Sequence, residues 1–140
     1  MKFKTIILVN QDMNESLLIE AFVAQGLELL KIYANFYLAT NPEEALDRFL
    51  NNRGEVFDLV VTDLVFMKDG QEPMSGCLLR EEIRKKYPDL PVVAFSEYFV
   101  RQTEAIQVGF DEIVFKTGNY MALPKAIDDV LKKTEQAKKT

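Results

Sequence analysis

Five short apolar runs, rich in β-branched and aromatic residues, are spaced through the chain at 4–9, 34–39, 57–62, 91–95 and 112–115. Runs of this length with polar flanks read as buried strands. The stretches between them carry helical patterns of ten residues or more. Strands that alternate with helices pair in parallel through right-handed crossovers. The fold class expected is therefore α/β, a doubly wound parallel sheet of five strands with five helices.

The helical stretches carry their own start and stop signals. Segment 15–30 places Leu18, Ala21, Phe22 and Val23 in a helical apolar pattern. Asn41 precedes Pro42, Glu43 and Glu44, the order expected of an N-cap, a first-turn proline and acids at the positive end of a helix. That helix puts Ala45, Leu46, Phe49 and Leu50 on one face. Segment 76–87 carries Leu78, Leu79 and Ile83 and stops at Pro88. Segment 98–108 ends at Gly109, a natural residue for a helix C-terminus. Segment 124–133 carries Ile127, Val130 and Leu131, and the polar, basic stretch 132–140 reads as fraying helix or the start of a linker. A single domain over 1–133 with a polar tail at 134–140 is the expected organisation. At 140 residues such a domain buries about two thirds of its unfolded surface.

Composition removes several classes of chemistry. There is no histidine and one cysteine, Cys77, so zinc sites and Ser-His or Cys-His catalysis lack their residues. Any metal would be a hard cation on oxygen ligands. A lone cysteine makes no internal disulfide, which suits a reducing cytoplasm. The net charge of −5 argues against a nucleic-acid surface. The first apolar run is too short for a signal peptide or a membrane span, and Met1-Lys2-Phe3-Lys4 resembles a natural start. A flavin site would need a glycine- or hydroxyl-rich phosphate loop after the first strand, and Asn10-Gln11-Asp12-Met13-Asn14-Glu15 contains no glycine. An Asp-x-Asp phosphatase would need an acid where Val65 stands.

The third run, Phe57-Asp58-Leu59-Val60-Val61-Thr62, delivers Asp63 to its carboxyl end. Ligands of open α/β sheets gather outside those ends. On the residues alone, Asp63 is a cap, a metal ligand or a nucleophile. Ser96 and Lys116 directly follow the fourth and fifth runs, where an N-capping serine and a solvated lysine are the plain alternatives. Asn10, Gln11 and Asp12 equally make a cap cluster for the first helix.

These segments together resemble a response-regulator receiver domain of two-component signalling. The resemblance lies in Asn41-Pro42-Glu43-Glu44-Ala45-Leu46, the third run with Asp63-Leu64, and Pro73-Met74-Ser75-Gly76 followed by Leu79-Arg80 and Ile83-Arg84. It continues in Pro91-Val92-Val93-Ala94-Phe95-Ser96 and in Gly109-Phe110-Asp111-Glu112-Ile113-Val114-Phe115-Lys116. It covers nearly the whole chain and implies a flavodoxin-like sheet in the order 2-1-3-4-5. It implies Asp63 as phosphoacceptor, Ser96 and Lys116 as phosphoryl-binding groups, and Mg²⁺ held by Asp63, Asn10, Gln11 and Val65. The implied partners are a histidine kinase or phosphotransfer protein, a downstream protein, and a second copy through the fourth helix–fifth strand–fifth helix face, with no direct nucleic acid or membrane. No classical enzyme activity is implied.

The chain departs from that pattern at several places. Asn10-Gln11 stands where two acids hold the metal, and Asp12 follows one place later. Glu97 replaces a small residue, Thr117 a proline and Ile113 an aromatic, and the loop after Asp63, with Phe66-Met67-Lys68-Asp69-Gly70, is long. Two functions remain open from the sequence: a phosphoacceptor, and a pseudo-receiver that binds partners without phosphorylation. Tyr98 and Phe99 mark a candidate interaction patch.

Overall fold

The computed structural model describes residues 2–51, 56–67, 74–97, 102–116 and 120–139. Tyr98, Phe99 and Thr117, the loop segment 68–73 and the first residues of the expected fourth helix lie outside them. Five strands, β1 (Lys2–Val9), β2 (Ile32–Ala39), β3 (Leu59–Thr62), β4 (Val92–Ser96) and β5 (Glu112–Phe115), form one parallel sheet in the order β2-β1-β3-β4-β5. Helices α1 (Met13–Leu29), α2 (Pro42–Glu44), α3 (Gly76–Lys86), α4 (Gln102–Val108) and α5 (Ala122–Lys139) connect and follow them. Strand order, strand positions and helix count match the sequence reading, with strand ends shifted by at most two residues.

Alternation along β1 divides the core. Ile6 and Leu8 point to one face with Leu59, Val61, Val93 and Phe95, against Ile19, Val23 and Leu27 of α1 and Leu123 and Ile127 of α5. Ile7 and Val9 point to the other face with Val60 and Val92, against Ala45, Leu46, Leu79 and Ile83. A third cluster, Leu64, Cys77, Ala94, Ala105 and Val108, joins α3 to α4. Among the described residues, no helix is long and apolar enough to cross a membrane.

Three local findings differ from the sequence expectation. Helix α1 buries Ser16, Ile19, Val23 and Leu27, whereas Leu18 and Phe22 remain exposed. Helix α2 is one turn, capped by Asn41, whose Oδ1 accepts from Glu44 N at 2.8 Å. It passes directly into a π-helical stretch, Ala45–Leu50, which still buries Ala45, Leu46 and Leu50. Helix α5 runs on to Lys139 instead of ending near 133, with Glu135 paired to Lys4 of β1 at 3.2 Å.

The carboxyl ends of the strands are pinned together just past their last residues. Asn10 N donates to Ala39 O, Asp63 N to Val9 O and Lys116 N to Ser96 O, at 3.0, 3.0 and 2.8 Å. Parallel register thereby brings the residues following β1, β3, β4 and β5 to one edge.

Candidate functional site at the carboxyl edge of the sheet

Asp63 occupies the centre of that edge. Its Oδ1 accepts from Leu64 N at 2.7 Å and from the Ser96 hydroxyl at 3.0 Å. Its Oδ2 accepts from Lys116 Nζ at 2.8 Å. The carboxylate is thus oriented by three donors from three segments, and its side chain is 16% exposed. The α3 N-terminus seats directly against the Asp63 main chain. Ser75 caps that helix, Gly76 N donates to Leu64 O at 2.9 Å, and a Cβ on Gly76 would lie 2.0 Å from Asp63 O. Only glycine permits the helix to approach this close.

Lys116 is buried, at 7% exposure, with its ammonium 5.7 Å from the centre of the Phe95 ring. A second carboxylate, Glu15 of α1, reaches the same nitrogen, with Oε1 2.6 Å from Nζ. Burial opposes the lysine charge and is the largest single influence on it. The hydrogen bonds and charges of Asp63 and Glu15 together outweigh burial and raise the Lys116 pKa above its ordinary value. Tyr120 edges onto Phe95 with centroids 5.4 Å apart, and burial, followed by the negative charge of Glu15, raises its phenol pKa.

The residues after β1 make hydrogen bonds of their own. Asn10 is buried, its Oδ1 accepting from Asp12 N and its Nδ2 donating to Glu15 Oε1, both at 3.0 Å. A backbone N–H can only donate, so this contact fixes the amide orientation and turns the Asn10 N–H₂ toward Glu15. Gln11 clasps the loop after β3: Nε2 donates to Met67 O at 2.6 Å and Oε1 accepts from Met67 N at 2.9 Å. Asp12 caps α1, accepting from Asn14 N and Glu15 N. The carbonyl oxygens of Asn10 and Gln11 are therefore engaged by main-chain donors. Val65 is half-buried beside the third core cluster, and Glu97 is exposed.

Sequence reasoning gathered Asp63, Ser96 and Lys116, which the fold brings into mutual contact, and it missed Glu15. A signal for Glu15 was present. With Asp12 as N-cap, Glu15 is the third helical residue, the capping-box position whose side chain turns back toward the preceding strand. Among the described residues no group of three or more histidines, cysteines or acids is placed to hold a metal. Among the described residues, Asp63 and Glu15 are the carboxylates paired with the Lys116 ammonium.

No family model matches the sequence. Solved structures do. A response-regulator receiver domain protein from Clostridium thermocellum is 21% identical, with a TM-score of 0.69 over 96% of this chain and 98% of that one. A CheY-like receiver domain protein from Methanospirillum hungatei JF-1 is 22% identical, with a TM-score of 0.72 over 97% of this chain and 99% of that one. The response regulator TrrA from Thermotoga maritima, solved in complex with Mg²⁺-BeF, is 25% identical, with a TM-score of 0.67 over 91% of this chain and 98% of that one. Over nearly its whole length, the chain has the fold of response-regulator receiver domains.

Proposed function

We propose that this protein is a response-regulator receiver of a two-component phosphorelay, which accepts a phosphoryl group on Asp63 and thereby changes its affinity for a downstream protein. The observation that carries this reading is the convergence of a Lys116 ammonium and a Ser96 hydroxyl on the two oxygens of Asp63, at 2.8 and 3.0 Å. Phosphoryl transfer asks a protein mainly for positioning and for positive charge at the transferred oxygens.

The chemistry follows from those groups. One Asp63 oxygen attacks phosphorus on a phosphohistidine presented by a histidine kinase or phosphotransfer protein. A P–O bond forms, the P–N bond breaks, and its electron pair returns to the imidazole. Lys116 moves from the carboxylate to a phosphoryl oxygen as a compact point charge. The Ser96 hydroxyl donates to another phosphoryl oxygen. Drawing Ser96 inward alters the end of β4 and the segment that follows, a local event that biases a surface with two arrangements.

The oxygen donors at this edge suit a hard cation such as Mg²⁺. Asp63 and the main chain of Val65 would hold it, whereas Asn10 and Gln11 keep their amide oxygens on Asp12 and Met67. When bound, it neutralises charge on the transferring phosphoryl group. The protein on this reading is a cytoplasmic signalling module, not a classical enzyme. It binds neither nucleic acid nor membrane directly, and the α4–β5–α5 face is where a second copy pairs.

A second reading is favoured by one feature, the Asn10 amide N–H₂ standing where an acid is expected. In that reading the domain is a pseudo-receiver that binds its partner without phosphorylation. Intact mass after incubation with phosphoramidate, with and without Mg²⁺, separates the two. One phosphate on wild type and none on Asp63→Asn supports the phosphoacceptor. No phosphate on a folded wild type under either condition leaves the pseudo-receiver.

A further inference from the structure

Glu15 has no part in the chemistry above, yet its position is well determined. It enters from the first turn of α1, beside the end of β1. Its Oε1 receives both Asn10 Nδ2 at 3.0 Å and Lys116 Nζ at 2.6 Å. Asp63 Oδ2 lies 2.8 Å from the same Lys116 nitrogen. One compact cation, the ammonium, is therefore shared by two carboxylates from different segments. That is the charge arrangement a small divalent ion also asks for.

We propose that Glu15 supplies the second carboxylate for the divalent cation at this edge, a role moved from the end of β1 to the first turn of α1. The inference rests on the receiver reading and assigns a residue to its cation. Mg²⁺ typically takes one or two carboxylates and completes its shell with water and other oxygens, so Asp63 and Glu15 suffice in charge. The other candidates after β1 are committed elsewhere. Asp12 caps α1, Gln11 holds Met67 through both amide atoms, and Asn10 turns its N–H₂ toward Glu15. Asn10 then acts as an outer partner that fixes the orientation of the ligating carboxylate. The Glu15 side chain is 28% exposed, so an ion reaches it without unfolding the site. Lys116 and a dication repel each other, so cation binding moves the ammonium off Glu15 while Asp63 retains it.

The test uses Mn²⁺ as the probe, with free ion counted by electron paramagnetic resonance during titration of the full chain. Wild type binds one Mn²⁺, and Glu15→Gln and Asp63→Asn each weaken binding by about tenfold or more, the scale of lost site groups. Glu15→Asp, which keeps the charge, recovers part of the loss. Thermal melts by circular dichroism establish that each variant is folded. Glu15→Gln binding Mn²⁺ as tightly as wild type, or wild type binding none, overturns the proposal. Intact mass after phosphoramidate treatment on the same proteins separates this failure from failure of the receiver reading. Phosphate on wild type with Mn²⁺ affinity indifferent to Glu15 sinks the Glu15 assignment alone. Mn²⁺ held through Glu15 with no phosphate on Asp63 supports the cation site and sinks the phosphoacceptor.

Discussion

Gly76→Ala probes the seating of α3 against Asp63. The new Cβ would stand 2.0 Å from Asp63 O and 3.0 Å from both Asp63 C and Leu64 Cα. All three neighbours are backbone, so no flexible side chain can give way. The helix start must retreat by more than an ångström, because such atoms normally pack near 3.5 Å or beyond. Overpacking of this kind costs about 1–3 kcal/mol. The Gly76 N to Leu64 O bond, 2.9 Å in the native chain, breaks at a further cost of about 1 kcal/mol. The better helix propensity of alanine returns at most about 1 kcal/mol. A net loss of about 1–3 kcal/mol lowers Tm by roughly 3–10 °C in a domain of this size. The assay is a thermal melt by circular dichroism, paired with the rate of phosphate uptake from phosphoramidate, which falls because the Asp63 main chain is displaced. A Tm within about 2 °C of wild type, under the shift expected for such a loss, would refute the close approach of α3 to Asp63.

Other consequences follow from the same contacts. Gln11→Ala removes two exposed hydrogen bonds to Met67 and costs about 1–2 kcal/mol by melt; an unchanged melt would contradict the clasp. Asp12→Ala removes the α1 cap and lowers stability by about 0.5–2 kcal/mol, read as a lower urea midpoint; an unchanged midpoint contradicts the cap. Lys116→Met keeps the side-chain bulk, abolishes phosphate uptake, and leaves Asp63 and Glu15 facing one another. The Lys116 pKa is raised in the fold, so its stabilising contribution is complete below the ordinary lysine value near 10.5 and is lost as pH climbs through the higher folded value. Alkaline titration of wild-type stability should show this loss, Lys116→Met should lack it, and identical alkaline profiles would contradict the buried ion pair.

The strands were legible because parallel strands covered on both faces are continuous β-branched runs that owe little to context. Asn41-Pro42 and Gly109 were legible because capping chemistry is local, and Gly109 adopts φ +78° as its position requires. Of the apolar positions read on α1, Val23 is buried and Leu18, Ala21 and Phe22 are exposed, because that helix is apolar nearly all round. Leu17, Leu18 and Phe22 compete with Ile19, Val23 and Leu27, and periodicity alone cannot choose between the two stripes. The π-helical stretch after α2 left no mark in the pattern, since Ala45, Leu46 and Leu50 are buried in either helix type. Asp63, Ser96 and Lys116 were legible because each ends a strand. Glu15 was hidden because an acid in a first turn is adequately explained by the helix dipole, and the contact that gives it a role comes from Lys116, far along the chain.

The measurement that bears most directly on the central claim is where the phosphoryl group goes. Wild type is treated with phosphoramidate and Mg²⁺, reduced with borohydride to convert any aspartyl phosphate to homoserine, and mapped by peptide mass spectrometry. Homoserine at position 63 and at no other aspartate is the predicted result. Homoserine elsewhere, or none in a protein that melts cooperatively, would contradict the account.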